Sequence, residues 1–409
     1  MPVCGLCAHE RPTYRRRMST NGVTDHPVAA ALDALVARLV ARPDVAHAAF
    51  AVRSGDGSLE WRGALGEARP DGPAMTADTP YFVASIDKLV TSAASFILAE
   101  RGVLDLDARL LAYLPADAVS GLHVQGSVDR SGDLTLRHLL SHTSGLADYL
   151  EDRPKGGQSL IEETLAQGDL GWTPEAALER VRSRLRPHFL PQDAYDPKAR
   201  AQYSDTNYLL LKAVLEAVQG RPVAEVYRSL VFEPLGLHAT FVVSRGAPET
   251  ERVAQAAALW SGRASLDVPV TLQSTNGMFS TLDDQLTLVR GLIEGRPFEG
   301  GETTFARMAT PFRRFRQGFD PAALRRPGWP IEYAHGVMRF QLPRWLAPAS
   351  RPPTVIGHTG STGSWAFHCP ALDLDLVGTV DQVNAGALPF RSLGGWMRTL
   401  RPILQAHSR

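Results

Sequence analysis

Lysine is the scarce charged residue of this chain. Of 43 basic residues only Lys88, Lys155, Lys198 and Lys212 are lysine, and the rest are arginine. Cysteine is scarcer, three in 409 residues, which excludes a disulfide framework. Cys4 and Cys7 form a CxxC with His9 nearby, but the one other cysteine is Cys369. Half a zinc site is not a zinc site, so the pair reads as thiols in a tail. Acidic and basic residues balance at 43 each, with no charge block, which argues against nucleic acid or an anionic membrane as partner. No apolar run reaches the roughly 20 residues of a membrane span. The positive "RRRMST" is not followed by an apolar core, so a secretory signal is not expected. The expected location is the cytoplasm, with residues 1–24 as a flexible leader and Met18 as an alternative start. GxSxG, a Walker lysine, HExxH and a post-strand GxGxxG are all missing. These absences exclude the α/β-hydrolase elbow, the P-loop, the zincin helix and the dinucleotide fingerprint. No cofactor and no metal are expected.

What remains is an ordinary globular composition, 44% hydrophobic and 21% charged. Leu32, Leu35, Val36, Leu39 and Val40 fall at helical spacing, predicting a helix over 27–42. "HAAFAVRS" and "SLEWRGALGEA" around "GDG" predict a β-hairpin. Residues 105–270 read mostly as helices, among them 174–185 and 206–220. After residue 351, "PTVIGHTG", "SWAFHC" and "LDLDLVGTVDQ" predict an antiparallel meander, followed by a helix from about 388 to 405. The fold class is therefore α+β: an antiparallel sheet built from both chain ends, flanked by helices, with an inserted helical lobe. The expected organisation is one module over 25–409. Its α/β lobe takes about 25–105 and 271–409, and its helical lobe about 106–270.

One of the rare lysines stands in "ASIDKLVTSAASFILAE", residues 84–100. Ser85 and Lys88 are three apart, so on a helix they share a face. A serine hydroxyl needs a base before it becomes a nucleophile. Lysine can serve when burial lowers its pKa, whereas arginine stays protonated. The plain alternative is that Ser85 is an N-cap ahead of an apolar run. The acid pairs Glu162/Glu163 and Asp283/Asp284 are neighbours in sequence and read as solvated faces.

Two further stretches bear on the choice. "AQYSDTNYLLLKAVLEA" places Tyr203, Asp205 and Asn207 at a helix entrance, and "VIGHTGSTGSW" places His358, Thr359 and Gly360 at a strand end. With SxxK, in this order, the chain resembles the serine β-lactamases and penicillin-binding proteins. It is closest to the class C β-lactamase-like group of DD-peptidases, family VIII esterases and related acyltransferases. "LTLRHLLSHTSGLADY", "VFEPLGLHATFV" and "NGMFSTLDDQ" extend the resemblance over about residues 28–400. It implies Ser85 as acylated nucleophile, Lys88 and Tyr203 sharing base duty, and the N–H groups of Ser85 and Ser361 as oxyanion hole. It implies Asp205, His358, Thr359 and Gly360 as substrate-binding residues; Trp365, near the HTG turn, is a further candidate, lining an acyl pocket or the core. His358 stands where the family has a lysine, and it offers a hydrogen bond, or a charge if protonated. Asp205 stands where many relatives have Asn. A carboxylate there only accepts hydrogen bonds, adds negative charge beside Lys88 and repels the carboxylate of a β-lactam.

The remaining candidates have weaker claims. His142 reads as a hydrogen-bonder fixing its loop, Asn207 as a residue of the first helical turn, and Asp87 as facing the helical lobe or solvent. Tyr149, Trp172, Tyr333 and Phe367 read as core, with an acyl pocket as the alternative. The expected activity is hydrolysis of a small ester or amide through an acyl-enzyme, with a small-molecule acyl substrate as the partner. A β-lactamase or DD-peptidase, a biosynthetic acyltransferase or thioesterase, and a non-catalytic binding module are the alternatives.

Overall fold

A computed structural model describes residues 28–314, 331–341, 354–383 and 385–406. The leader and its CxxC lie outside these residues.

Eight antiparallel strands form the main sheet. Their spatial order is Arg313–Arg314, Ile331–Tyr333, Met338–Gln341, Thr354–Thr359, Trp365–Cys369, Leu374–Thr379, His47–Ser54 and Glu60–Gly66. The two chain ends meet where His47–Ser54 pairs with Leu374–Thr379, Ala49 opposite Thr379 and Ser54 opposite Leu374. The sheet thus comes from both chain ends, as its sequence pattern predicts. Three strands ahead of residue 351 extend it beyond that expectation. At two to four residues each, they are too short to show an alternating pattern. Short hairpins at Val124–Asp129 and Leu259–Leu266 also interrupt the stretch read as helical.

Alternation along the strands divides the side chains between two faces. Phe50, Val52, Trp365 and Phe367 point to one side and pack with the helices Ala29–Val40 and Leu388–Ala406. Trp365 stacks on Trp396 at 4.5 Å, and Phe50 stacks on the same indole at 4.7 Å. Ala49, Ala51, Ala366 and Val377 point to the other side and join the larger core around the helix Asp87–Glu100. Small residues on this face let that helix approach closely. Every residue from Asp87 to Leu98 is buried, so this helix is the central post of the molecule.

Trp365 is therefore corrected from its expected place. Its side chain lies behind the sheet, fully buried, on the face away from Ser85. Phe367 lies there too. Gly378 faces the Trp365 ring so closely that a Cβ would collide with it, which explains a glycine in mid-strand.

The paired acids are structural. Glu162 caps the Ser159 N–H and pairs with Arg153, and Glu163 pairs with Arg180. Asp283 pairs with Arg62, while Asp284 accepts from the Ala239 N–H and Thr240 Oγ1.

Candidate active site

The nucleophile candidate sits in a strained turn. A short strand, Tyr81–Phe82, pairs with Met278–Ser280 and runs into a 3₁₀ turn at Ala84–Ile86, which feeds the helix starting at Asp87. Ser85 lies in that turn, one residue outside an N-cap position. Ala84 just before it has φ +49°, a left-handed conformation that non-glycine residues rarely adopt. Such strain persists only where surroundings enforce it. Here the Ser364 hydroxyl donates to the Val83 carbonyl at 2.8 Å, and Gly360 packs so tightly on Ala84 that a side chain would not fit.

Three side chains converge. Lys88 Nζ donates to Ser85 Oγ at 3.1 Å, and Tyr203 Oη donates to the same oxygen at 2.8 Å. Lys88 Nζ also donates to Asp205 Oδ1 at 2.6 Å, and lies 5.0 Å and 5.3 Å from the ring centres of Tyr203 and Tyr208. Asp205 opens the helix Asp205–Gln219, where a carboxylate suits the positive end of the helix dipole. Burial alone would push the Lys88 ammonium down. Asp205, Tyr203 and Asp87 overcome it and hold Lys88 well above the ordinary lysine range. Burial likewise pushes the Tyr203 phenol well up, although the Lys88 ammonium opposes the shift. The resting site is a neutral phenol beside a charged ammonium, not a free amine.

Tyr203 is bracketed from both sides. His142, itself at φ +56°, accepts from the Gln202 N–H through its carbonyl at 3.0 Å and from the Ser204 N–H through Nδ1 at 3.2 Å. Asn207 Nδ2 lies 2.8 Å from the same Nδ1, and Ser144 Oγ donates to Asn207 Oδ1 at 2.6 Å. The imidazole packs on the Tyr203 ring, 4.5 Å between centroids. Burial, then the charge of Lys88, keeps His142 neutral, as an accepting Nδ1 requires. His142 and Asn207 thus tie the segment carrying Tyr203 to the loop at His142.

Of the two states open to His358, the structure favours the uncharged one. It is fully buried, and burial together with Lys88 pushes it down to about 3, so it carries no charge at neutral pH. Its Nδ1 donates to the Thr359 carbonyl at 2.7 Å, which leaves Nε2 facing the Tyr333 hydroxyl at 3.3 Å. The Thr359 hydroxyl donates to Met338 Sδ. Ser361 is exposed just beyond Gly360, and among the described residues neither its N–H nor that of Ser85 meets a backbone carbonyl.

Sequence reading missed one partner of the site. Asp87 does face the neighbouring helix, but as half of a buried ion pair with Lys212, 2.7 Å apart. Lys212 Nζ also donates to the Thr275 carbonyl at 3.0 Å. The available signal was a second rare lysine inside an apolar run, "YLLLKAVL". Among the described residues no group of side chains is arranged to hold a metal ion, and no helix is long and apolar enough to cross a membrane.

Comparison with known proteins places this geometry. The chain is 30% identical over 349 residues to the esterase EstB of Burkholderia gladioli, covering 76% of this chain and 83% of that one. It is 30% identical over 171 residues to penicillin-binding protein 4 of Amycolatopsis lactamdurans, covering 42% of this chain; the chain spans only 38% of that relative's length. The solved D-stereospecific amidohydrolase of a Streptomyces species superposes with a TM-score of 0.65 at 25% identity, covering 88% of this chain and 95% of that one. The family profile described as Beta-lactamase matches residues 32–384. With its sheet, its central helix and its matched span in agreement, the chain belongs to the beta-lactamase family, whose fold serves serine hydrolases.

Proposed function

We propose that this chain hydrolyses a small ester or amide through an acyl-enzyme on Ser85. The observation that carries the reading is the convergence of Lys88 Nζ and Tyr203 Oη on Ser85 Oγ. Their charge states favour a relay through the neutral phenol. Ser85 Oγ attacks the acyl carbon as its proton passes to Tyr203 Oη, and the phenol's own proton passes to the leaving alcohol or amine. Net charge on Tyr203 never changes, so its raised pKa is no obstacle. The Lys88 ammonium stabilises negative charge that develops on either oxygen. Water then attacks the acyl-enzyme, and the same relay runs in reverse to free Ser85. The N–H groups of Ser85 and Ser361 are the proposed oxyanion donors.

Asp205 and the uncharged His358 both disfavour a substrate carboxylate, which supports an ester or amide over a β-lactam. The test is intact-mass analysis and turnover with a p-nitrophenyl ester series and a chromogenic cephalosporin. Ester turnover with a covalent adduct that vanishes in Ser85→Ala is expected. Efficient cephalosporin turnover with negligible ester turnover would overturn the preference.

A further inference from the structure

The carboxylate of Asp205 is only half used. Oδ1 receives Lys88 Nζ, while Oδ2 receives no hydrogen bond among the described residues, and the side chain keeps 18% of its exposure. An open acceptor therefore stands one ammonium away from Ser85 Oγ. Among the described residues nothing opposite it offers a free positive charge. Lys88 is paired, and His358, which occupies the strand position where a cation would meet a substrate carboxylate, is neutral.

The adjoining wall has the same sign. The loop after Leu146 brings Asp148, Glu151 and Asp152 alongside. Buried Asp148 accepts the Asp205 N–H at 3.0 Å, which ties the loop to the start of the helix; burial, then Asp205 and Glu151, push its carboxyl well up, so it does not add to the negative charge of the wall. Asp152 is paired with His188. Glu151 reaches the surface with no cation of its own among the described residues. Partial burial first, then Asp205, Asp152 and Glu162, push it up to about 7. The Tyr149 phenol is pushed up by burial and then by Asp205 and Asp148, with Lys88 opposing them. In both, burial is the first cause and the Asp205 carboxylate the second, so Asp205 is felt on this side of the cleft.

Resting on the acyl-enzyme reading, we propose that Asp205 makes the site selective for acyl donors with a positive charge next to the scissile carbonyl, an ammonium group on the α-carbon being the best fit. Such a group lies two bonds from the carbonyl carbon, each bond adding roughly 1.5 Å. That reach matches the short step from Ser85 Oγ to the Asp205 carboxylate across Lys88. An ammonium donates where Asp205 can only accept, and charge-assisted hydrogen bonds are about twice as strong as neutral ones. A carboxylate in the same place meets Oδ2 and Glu151 and is rejected.

The test uses three thioesters of similar size: 2-aminobutyryl (both enantiomers), butyryl and succinyl. Their kcat/KM values are measured at pH 7, below the α-amino pKa of about 7.7–8.0 so that the ammonium form prevails, on wild type, Asp205→Asn and Glu151→Gln. Wild type is expected to favour the better aminobutyryl enantiomer over butyryl by about tenfold, and butyryl over succinyl. The aminobutyryl-to-butyryl ratio is expected to fall about tenfold in Asp205→Asn and about threefold in Glu151→Gln. The ratio cancels any general loss of activity caused by disturbing Lys88. Equal turnover of the three substrates, or a preference that survives Asp205→Asn, would overturn the selectivity while leaving the acyl-enzyme intact. No turnover of any thioester, or turnover undiminished in Ser85→Ala, would overturn the acyl-enzyme reading and this inference with it.

Discussion

Two buried ion pairs cross between the same two helices, and they have different duties. Asp87 and Lys88 are neighbours on the central helix. Asp205 and Lys212 stand two turns apart on the helix beside it. Each acid pairs with the other helix's lysine, Lys88 with Asp205 at 2.6 Å and Lys212 with Asp87 at 2.7 Å. The first pair touches Ser85 Oγ and keeps some access to the cleft. The second ends on a backbone carbonyl. A lysine in an apolar helix is therefore no sign of chemistry by itself. What separates the two is the third partner, a side-chain hydroxyl in one pair and a backbone carbonyl in the other.

The comparison can be broken from either side. Removing Lys88 carries the largest expected effect on turnover. Lys88→Met is expected to lower ester kcat/KM by about a thousandfold, within the range of a lost general acid–base group. Lys88→Arg is expected to do no better, because the planar fork cannot replace a compact ammonium between Ser85 and Asp205. Comparable turnover in Lys88→Arg would show that only the charge matters.

Lys212→Met is expected to act on stability instead. Leaving Asp87 buried without its partner costs about 3–5 kcal/mol, read as a lower urea midpoint, with kcat/KM of the folded protein changing little. Replacing both partners, Asp87→Leu with Lys212→Met, is expected to recover most of that loss. If the double variant is also strongly destabilised, the pair contributes more than mutual neutralisation.

The pairs also bound opposite ends of the pH range. Burial raises the Asp87 carboxyl, but Lys212 and Lys88 prevail and hold it below its ordinary value. A depressed carboxyl stabilises the fold above its unfolded pKa, about 3.9, and that contribution is lost as pH falls through the folded value. Lys88 is raised, so its contribution is complete below the unfolded value of about 10.4 and is lost as pH climbs through the folded one. Urea midpoints across pH are expected to show the gap between wild type and Lys212→Met narrowing on the acid side. The gap for Asp205→Asn is expected to narrow on the alkaline side.

The smallest effect tests the bracket around Tyr203. His142→Phe keeps a ring against the phenol but removes the Nδ1 acceptor of Ser204 and Asn207. We expect kcat to fall about tenfold with KM nearly constant. A matching rise in KM would mean that His142 shapes the binding surface rather than the position of Tyr203.

Much of this was legible in the sequence where periodicity or chemistry is local. The helix starting at Ala29, the hairpin around "GDG" and the strands from Thr354 to Thr379 follow from residue spacing. Ser85 and Lys88 meet because three residues make one helical turn. Trp365 was misread because nearness to Gly360 in sequence says nothing about which face of a strand a side chain takes. One residue of alternation moved it behind the sheet. The neutrality of His358 was hidden for another reason. Its environment comes from Lys88 and Tyr333, distant in sequence, and only burial reveals that it cannot hold a proton. For Lys212 the rare lysine in an apolar run was a local signal, but its partner Asp87, 125 positions away, left no pattern to point to.

The seam between His47–Ser54 and Leu374–Thr379 has a consequence for how the protein comes into being. The strand His47–Ser54 is made long before its partner emerges from the ribosome. Ser85 likewise precedes by a long stretch of chain the Gly360 that packs on Ala84 and the Ser364 that holds Val83. Contacts so distant along the chain form slowly, because a long loop must close before they reward it. A nascent chain that has not reached Ser364 carries Ser85 and Lys88 without two of the contacts that hold the strained turn, so the turn takes its shape only after that point.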